Sequence, residues 1–472
     1  MVLDVAKAAP ARAFITKTGL NAPVPFLSQH LHTQTPMKLT RPTLAPNQKH
    51  VIIVGAGFAG LNAAKIFAGH EEVHVTLIDQ RNHHLFQPLL YQVATAGLDP
   101  SEIAAPIRAQ FSRDQNVYVH LGRVGKVNLT EKWIEGETNQ LRIPYDFLVL
   151  ASGAQHSYFG NPEWEADAPG LKTLEQALEI RRRILLAFEL AENELDPEKQ
   201  KSLLTFVVVG AGPTGMELAG AISDIARTVL VKDFRRIDPA AAKVLLVEAG
   251  PRILPSFDEK LAERAAKDLA AMKIEVRVNT KVAKINAEGV EAGTEWIDTR
   301  NVFWAAGVQA SRPQLEPEQV YDRAGRVMVT KNFGIPGAQG AFAIGDLAAY
   351  EIEEKKFLPG LAPAAIQAGK YVANVILAEC AGKPHKPFRY VDKGQMATIG
   401  KHRAIAMTGK LRLTGYVAWL AWLFVHIFYL VGFTNRLAVL IRWTWSYLFS
   451  KRGSRLITNR EWRLPKQPTK QG

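Results

Sequence analysis

Two glycine-rich stretches hold the residues whose types and spacing could do chemistry. The first is Gly55, Gly57 and Gly60, with Asp79 19 residues beyond; the second is Gly210, Gly212 and Gly215, with Glu248 33 residues beyond. In a GxGxxG turn the first glycine permits a tight bend, the second lets a pyrophosphate approach the backbone, and the third lets helix and strand pack closely. Unpaired amides at the helix start then face the phosphates. An acid ending the next strand accepts hydrogen bonds from ribose hydroxyls, and a carboxylate there favours NADH over NADPH by repelling a 2′-phosphate. Arg252 near Glu248 tempers that preference. Glu217, two residues past Gly215, could face a nicotinamide and a flavin, or could be a first-turn acid favoured by the helix dipole. Gly345 and Asp346 add a weaker signal. A carboxylate brought in by a returning strand could hold the ribityl chain that FAD has and NAD lacks, or could simply close a turn.

The elements that must position these residues are legible around them. The run VIIVG leads into the first glycine turn, a helical stretch from Leu61 to Gly69 follows, and VHVTLID is the next strand. That order is a βαβ unit. It recurs at LLTFVVVGAGPTGMELAGAISDIA and KVLLVEAG, with the two turns 155 residues apart. The expected fold is therefore α/β with two Rossmann-like dinucleotide-binding domains: an FAD-binding domain at residues 49–165 and 311–375, and an NADH-binding domain at 166–310 inserted between. Residues 1–48 lack sustained periodicity and read as a flexible extension or a transit peptide. No Ser, His and Asp arrangement and no metal-ligand spacing competes as a site, and His83 and His84 read as polar structural residues.

The chain has 472 residues, 47% of them hydrophobic, enough for two or three domains. Cys380 is the only cysteine, which excludes an intrachain disulfide, a CxxC redox pair or a thiolate cluster. Redox chemistry would have to come from a bound cofactor. The 58 basic against 45 acidic residues suit an anionic partner. Seven basic residues and one acid fall in 450–472, directly after an apolar stretch, which points to lipid and not to nucleic acid. Gly415 to Phe433 is 19 residues without a formal charge, meeting the length criterion for a spanning helix. Leu437 to Phe449, carrying Arg442 and bounded by Arg436 and Lys451, suits a helix lying at the interface with its cations among headgroups. Trp419, Trp422, Trp443 and Trp445 fit a lipid boundary. Residues 376–472 are read as a C-terminal membrane-attachment region, in which these features leave a spanning helix open. A buried helix or a homodimer interface is the plainer alternative.

The strings VIIVGAGFAGLNAA, LLYQVATAGL, VVVGAGPTGMELAG, AFAIGDLA and APAAIQAGKYVA, in that order, resemble the type II NADH:quinone oxidoreductases over roughly residues 50 to 450. The resemblance implies the pyridine nucleotide-disulfide reductase-like flavoprotein fold, with FAD as sole redox group. It implies hydride transfer from NADH, electron delivery to a membrane quinone of ubiquinone, menaquinone or plastoquinone type, no proton pumping, and monotopic attachment to one face of a lipid bilayer in preference to spanning it; the single cysteine reads that face as cytoplasmic or matrix-side. By position it assigns Glu217 to the site between nicotinamide and flavin. Ala362 to Gly369 resembles the family's AQxAxQxG quinone motif, with Gln367 at the second glutamine and Pro363 replacing the first. Gln367 is thus the candidate on the quinone side, its plainer role being to cap buried backbone. The rivals are a sulfide:quinone reductase, which the single cysteine argues against, and a soluble ferredoxin or rubredoxin reductase, which the apolar C-terminal region disfavours. From another class comes a membrane-tethered assembly or sensor protein that binds FAD and NADH with little turnover.

Overall fold

A computed structural model of the chain describes residues 42–137, 142–449 and 453–457. Most of the N-terminal extension and of the basic tail lies outside the described residues.

The β-branched run Lys49–Val54 is buried from its second residue on, so it is covered on both faces and suits the middle of a parallel sheet. It pairs in parallel with Val73–Asp79 on one side and Phe147–Leu150 on the other. Val117–Leu121 and Ala341–Ala343 complete a five-stranded sheet. The second sheet repeats the plan: Thr205–Val209 lies between Lys243–Val247 and Asn301–Trp304, with Ile274–Arg277 at the edge. In both, the glycine turn leaves the carboxyl end of a central strand, where open α/β sheets bind ligands. The chain leaves the first sheet after Leu150 and returns at Ala341, having built the second in between. Ala154–His156 and Val308–Ala310 pair antiparallel where it goes out and comes back.

Two glycines set how the layers meet. The Ala362–Cys380 helix crosses the Phe58–Phe67 helix so closely that a Cβ on Gly369 would stand 2.2 Å from the Ala59 carbonyl oxygen. The glycine ending the candidate quinone motif is therefore a packing glycine. Likewise, a Cβ on Gly220 would stand 1.9 Å from the Ile399 carbonyl oxygen, pinning the Pro213–Asp224 helix against the strand Gln395–Gly400.

That strand belongs to an antiparallel sheet, with Arg403–Thr408 and Leu411–Thr414, inside the region expected to be devoted to membrane attachment. The expectation for Gly415 to Phe433 also changes. The helix covers only Gly415–Tyr429; Leu430 turns extended, Gly432 has a φ of 89°, and a new helix, Phe433–Phe449, begins. Fifteen residues span about 22 Å, short of the roughly 30 Å of a hydrocarbon core. No helix among the described residues is long and apolar enough to cross a membrane.

The cations of the last helix are also not where a headgroup contact would put them. Arg442 turns back to the protein: Nη1 lies 2.7 Å from Asp99 and Nε 2.8 Å from Glu102. Arg436 donates through Nε to the Leu430 carbonyl at 2.8 Å, closing the preceding helix. With Trp443 Nε1 donating to Gln92 at 2.8 Å, these contacts clamp the helix to the body. What the two helices leave outward is apolar. Val417, Leu420, Phe424 and Phe428 lie on one face of the first, Leu437, Leu440, Ile441 and Trp445 on the second, and Phe424 is 72% exposed. The opposite faces, with Trp422, His426, Val439 and Trp443, are buried.

Candidate functional site

The two glycine turns have the same anatomy. Gly55 and Gly210 sit at φ values of 102° and 99°, which favour glycine, and a Cβ on either would press on the neighbouring strand's backbone. A Cβ on Gly60 would stand 1.8 Å from the Gly55 oxygen, and one on Gly215 1.9 Å from the Gly210 oxygen. Gly57 and Gly212 differ from these four. Nothing lies within 4 Å of an added Cβ at either, and their φ values of −68° and −74° are open to any residue. Neither the backbone nor protein packing asks for glycine there. Each opens on space at a helix N-terminus of ten or more residues, as close approach of a pyrophosphate requires.

The strand-end acids repeat the symmetry. Asp79 accepts from the Ala56 amide at 2.7 Å and from the Arg81 amide at 2.7 Å. Glu248 accepts from the Ala211 amide at 2.8 Å and from the Gly250 amide at 2.8 Å. Each carboxylate is fixed beside its turn with one bond per oxygen, and a carboxylate oxygen can take two; the remaining capacity fits the hydroxyls of a ribose. Burial raises the Asp79 pKa, against the pull of the two amides. His84 holds the first turn from behind: its Nδ1 donates to the Ala56 carbonyl at 2.9 Å, and burial pushes its pKa down to about 4, so the ring is neutral. Arg252 donates to the carbonyls of Pro255 at 2.8 Å and Phe257 at 3.1 Å, which draws its guanidinium into its own turn. It is therefore not presented to a 2′-phosphate beside Glu248. A preference for NADH over NADPH in kcat/KM is expected, and Glu248→Gln should narrow the ratio about tenfold, roughly 1.4 kcal/mol. An unchanged ratio would mean that discrimination lies elsewhere.

A single cleft of about 930 Å³ joins the two halves. Gly55, Gly57, Asp79, Gly345 and Asp346 line it from the first domain, and Pro213, Thr214 and Glu217 from the second. A cleft of that volume, lined by the first glycine turn and by Asp79 and Asp346, has room and polar groups for a dinucleotide such as FAD. Lys172 Nζ lies 3.9 Å from Asp346 and lines the same wall. Glu217 is half-buried beside the cleft; desolvation lifts its pKa to about 8, and the Thr398 amide, donating to Oε1 at 3.3 Å, pulls the other way.

Gln367 is not brought to this cleft. Its Nε2 donates to the Val391 carbonyl at 3.0 Å and the Pro363 carbonyl at 3.1 Å, while its Oε1 accepts from the Val391 amide at 2.9 Å. The amide clamps the chain that follows the helix; Ala362 and Ala365, not Gln367, face the cleft. The cleft also gains residues that the sequence reading passed over. His426, in the Gly415–Tyr429 helix, lines it with Met396 and Tyr91. His426 stacks on Trp422 with centroids 4.1 Å apart, and its Nδ1 donates to the Trp422 carbonyl at 2.7 Å. Burial drives its pKa down to about 4. A lone histidine in an otherwise apolar helix was the available signal for it.

Comparison with known proteins places this arrangement. The model of the pyridine nucleotide-disulphide oxidoreductase family matches residues 49–369. The chain is 42% identical to the type II NADH:quinone oxidoreductase Ndh of Mycobacterium tuberculosis over 435 residues, covering 89% of this chain and 93% of that one. It is 31% identical to the internal alternative NAD(P)H-ubiquinone oxidoreductase A1, mitochondrial, of Arabidopsis thaliana, covering 88% and 87%. Among solved structures it is similar to NDH2 from Plasmodium falciparum in complex with NADH. There the TM-score is 0.78 and identity 20%, with 86% of this chain and 99% of that one covered; this likeness concerns the fold.

Proposed function

The chain belongs to the type II NADH:quinone oxidoreductases, FAD-dependent enzymes that pass electrons from NADH to a quinone, and from that premise we propose how its own residues divide the work. The observation that carries the reading is the shared cleft: Asp79, Gly57 and Asp346 line it from the first domain and Pro213, Thr214 and Glu217, from the start of the second glycine-turn helix, line it too, while Gly212 and Glu248 lie outside its lining. FAD, when bound, accepts a hydride and releases electrons in turn. Gly57 and the helix behind it receive its pyrophosphate, Asp79 its ribose and Asp346 its ribityl chain. Gly212 and Glu248 do the same for NADH, and Gly215 lets the second helix sit close to its strand. Glu217 holds a proton near the reacting rings in a site where both protonation states are populated close to neutral pH. Gln367 acts by position: it holds Val391, and the chain around it, against the second turn of the helix whose first turn faces the cleft. NADH oxidation by the purified protein, followed with and without a ubiquinone or menaquinone analogue, tests the reading. Failure of both analogues to accelerate it would overturn the assignment.

The apolar outward faces of the Gly415–Tyr429 and Phe433–Phe449 helices supply the membrane contact. Eight large apolar side chains stand exposed on these two consecutive helices, and large exposed apolar patches mark interaction surfaces. Attachment is monotopic, with the helices lying in the interface. Leu420→Ser, Phe424→Ser and Phe428→Ser together should lower binding to anionic vesicles about a hundredfold or more, since each side chain contributes on the order of 1–2 kcal/mol. Vesicle flotation measures it. Retained flotation, or conversion of a dimer to a monomer instead, would assign the patch to another partner.

A further inference from the structure

Phe159 stands where packing alone gives it little to do. It follows the Ala154–His156 strand, on the segment by which the chain passes from the first domain to the second. Its φ is 51°, a conformation that a bulky residue rarely adopts, and the residue is 68% exposed. Glycine would take that backbone freely, and a polar side chain would suit that exposure. The loop around it is nevertheless firmly held. The Ser157 amide donates to the Gly307 carbonyl at 3.3 Å, Trp304 Nε1 donates to the Ser157 carbonyl at 3.0 Å, and the hydroxyl of the buried Tyr158 donates to the Ala168 carbonyl at 2.9 Å. Asn161 Nδ2, donating to the Tyr158 carbonyl at 3.2 Å, closes the turn. An anchored loop thus presents one ring to solvent. Residues held in sparsely populated backbone conformations cluster at ligand clamps and active sites.

What the ring lies against points to its ligand. It covers the bare face of Gly307, where an added Cβ would stand 2.5 Å from Phe159 Cζ, and its centroid is 6.1 Å from that of the Trp304 ring, edge-on. Both neighbours belong to the carboxyl end of the Asn301–Trp304 strand. From Thr205–Val209, which feeds the Gly210 turn, the second sheet grows on one side through Lys243–Val247 to Ile274–Arg277, and then crosses to the other side at Asn301–Trp304. A dinucleotide lies across the crevice at such a reversal of strand order. Glu248 ends Lys243–Val247 and is assigned above to the NADH ribose on that side, so the nicotinamide half falls on the Asn301–Trp304 side, where Phe159 stands. Ser157, Tyr158 and Gly160, its neighbours in the loop, line the cleft shared with Glu217. We propose that Phe159 is the nicotinamide-side cover of the second dinucleotide site: its ring turns off Gly307 about its own side-chain bonds, on a backbone that stays fixed, and stacks on the nicotinamide riboside of NADH, closing it from water. The inference rests on the assignment of NADH to this site.

Phe159→Ala and Phe159→Gly test it in the full-length, FAD-loaded protein. Bleaching of the flavin by NADH, followed anaerobically over a range of concentrations, gives an apparent Kd for NADH. ADP-ribose, which keeps the adenosine half and lacks the nicotinamide ring, is measured as a competitor in the same reaction. Both variants should weaken NADH binding about tenfold, the scale of one aromatic contact, and leave ADP-ribose within about twofold. Phe159→Tyr should bind both as the wild type does. Glycine suits a φ of 51°, so Phe159→Gly should melt no lower than Phe159→Ala; loss of NADH affinity in both then reports a contact with the substrate and not support of the fold. The inference is overturned if folded, flavin-loaded variants bind NADH as tightly as the wild type, or if ADP-ribose is weakened by the same factor as NADH. A wild-type flavin that NADH does not bleach would instead remove the functional reading beneath it.

Discussion

Gly57→Ala should fold as the wild type does and yet bind FAD at least about a hundredfold more weakly, a difference of about 2.7 kcal/mol. A Cβ at this position meets no protein atom within 4 Å, and the residue's φ of −68° and ψ of −163° are ordinary for alanine. The unliganded fold has no reason to resist the change. The ligand does, because a methyl group at the helix N-terminus occupies the space in which a phosphate must approach the amides. Gly212→Ala makes the matching case in the second domain: FAD content should stay normal while the KM for NADH rises by a similar factor. Gly60→Ala is the control, since its Cβ would stand 1.8 Å from the Gly55 oxygen; there the apoprotein itself should lose stability. Flavin absorbance per protein, thermal melting of the apoprotein and NADH kinetics separate the three outcomes. If Gly57→Ala and Gly60→Ala lose flavin and stability alike, the open space beside Gly57 is not the phosphate site.

Those glycines were legible because their reasons are local. A tight bend, a close helix and an open approach all fall within six residues, and the spacing to Asp79 and Glu248 follows from one helix and one strand. The paired bonds of each acid to its own turn could be anticipated in kind, though not in detail. The C-terminal region was read less completely, and the reasons are physical. Residues 395–414 alternate in the strand manner and carry turns at Lys401-His402 and Gly409-Lys410, a weaker signal than the long apolar run beyond. The break between Tyr429 and Phe433 rests on Gly432 and on Arg436 reaching back to Leu430, choices that hydropathy does not register. Arg442 looked like a headgroup ligand because Asp99 and Glu102, which neutralise it, are more than three hundred residues away in the chain. Gln367 is the opposite case: its motif points to the quinone side, and the contact described here is the plainer one, its amide pairing with the backbone of Val391. The motif's helix does reach the cleft, through its first turn.

Glu217→Gln carries the largest consequence for the chemistry, and it reads out in stability as well as in rate. Burial lifts the carboxyl's pKa to about 8 in the folded protein, against an ordinary value near 4.3. Between those two values the unfolded chain has released a proton that the folded protein still holds. Stability therefore falls as pH rises through this window, and it levels off below and above it. Glutamine cannot ionise, so the variant should match the wild type in acid and become the more stable of the two by up to a few kcal/mol near pH 8.5. Melting curves at pH 5.5, 7 and 8.5 follow the divergence. Quinone turnover should move the other way, falling about 10- to 100-fold because an amide cannot pass a proton, and the wild type's loss of activity above about pH 8 should be absent from the variant's profile. A variant that keeps the same alkaline decline would show that another group sets it, with Glu217 serving only to anchor Thr398. A variant that keeps full quinone turnover would remove the proton from this carboxyl's role altogether. The two readouts are independent, since the stability effect needs only a desolvated carboxyl, whereas the rate effect needs that carboxyl to lie where the proton is used.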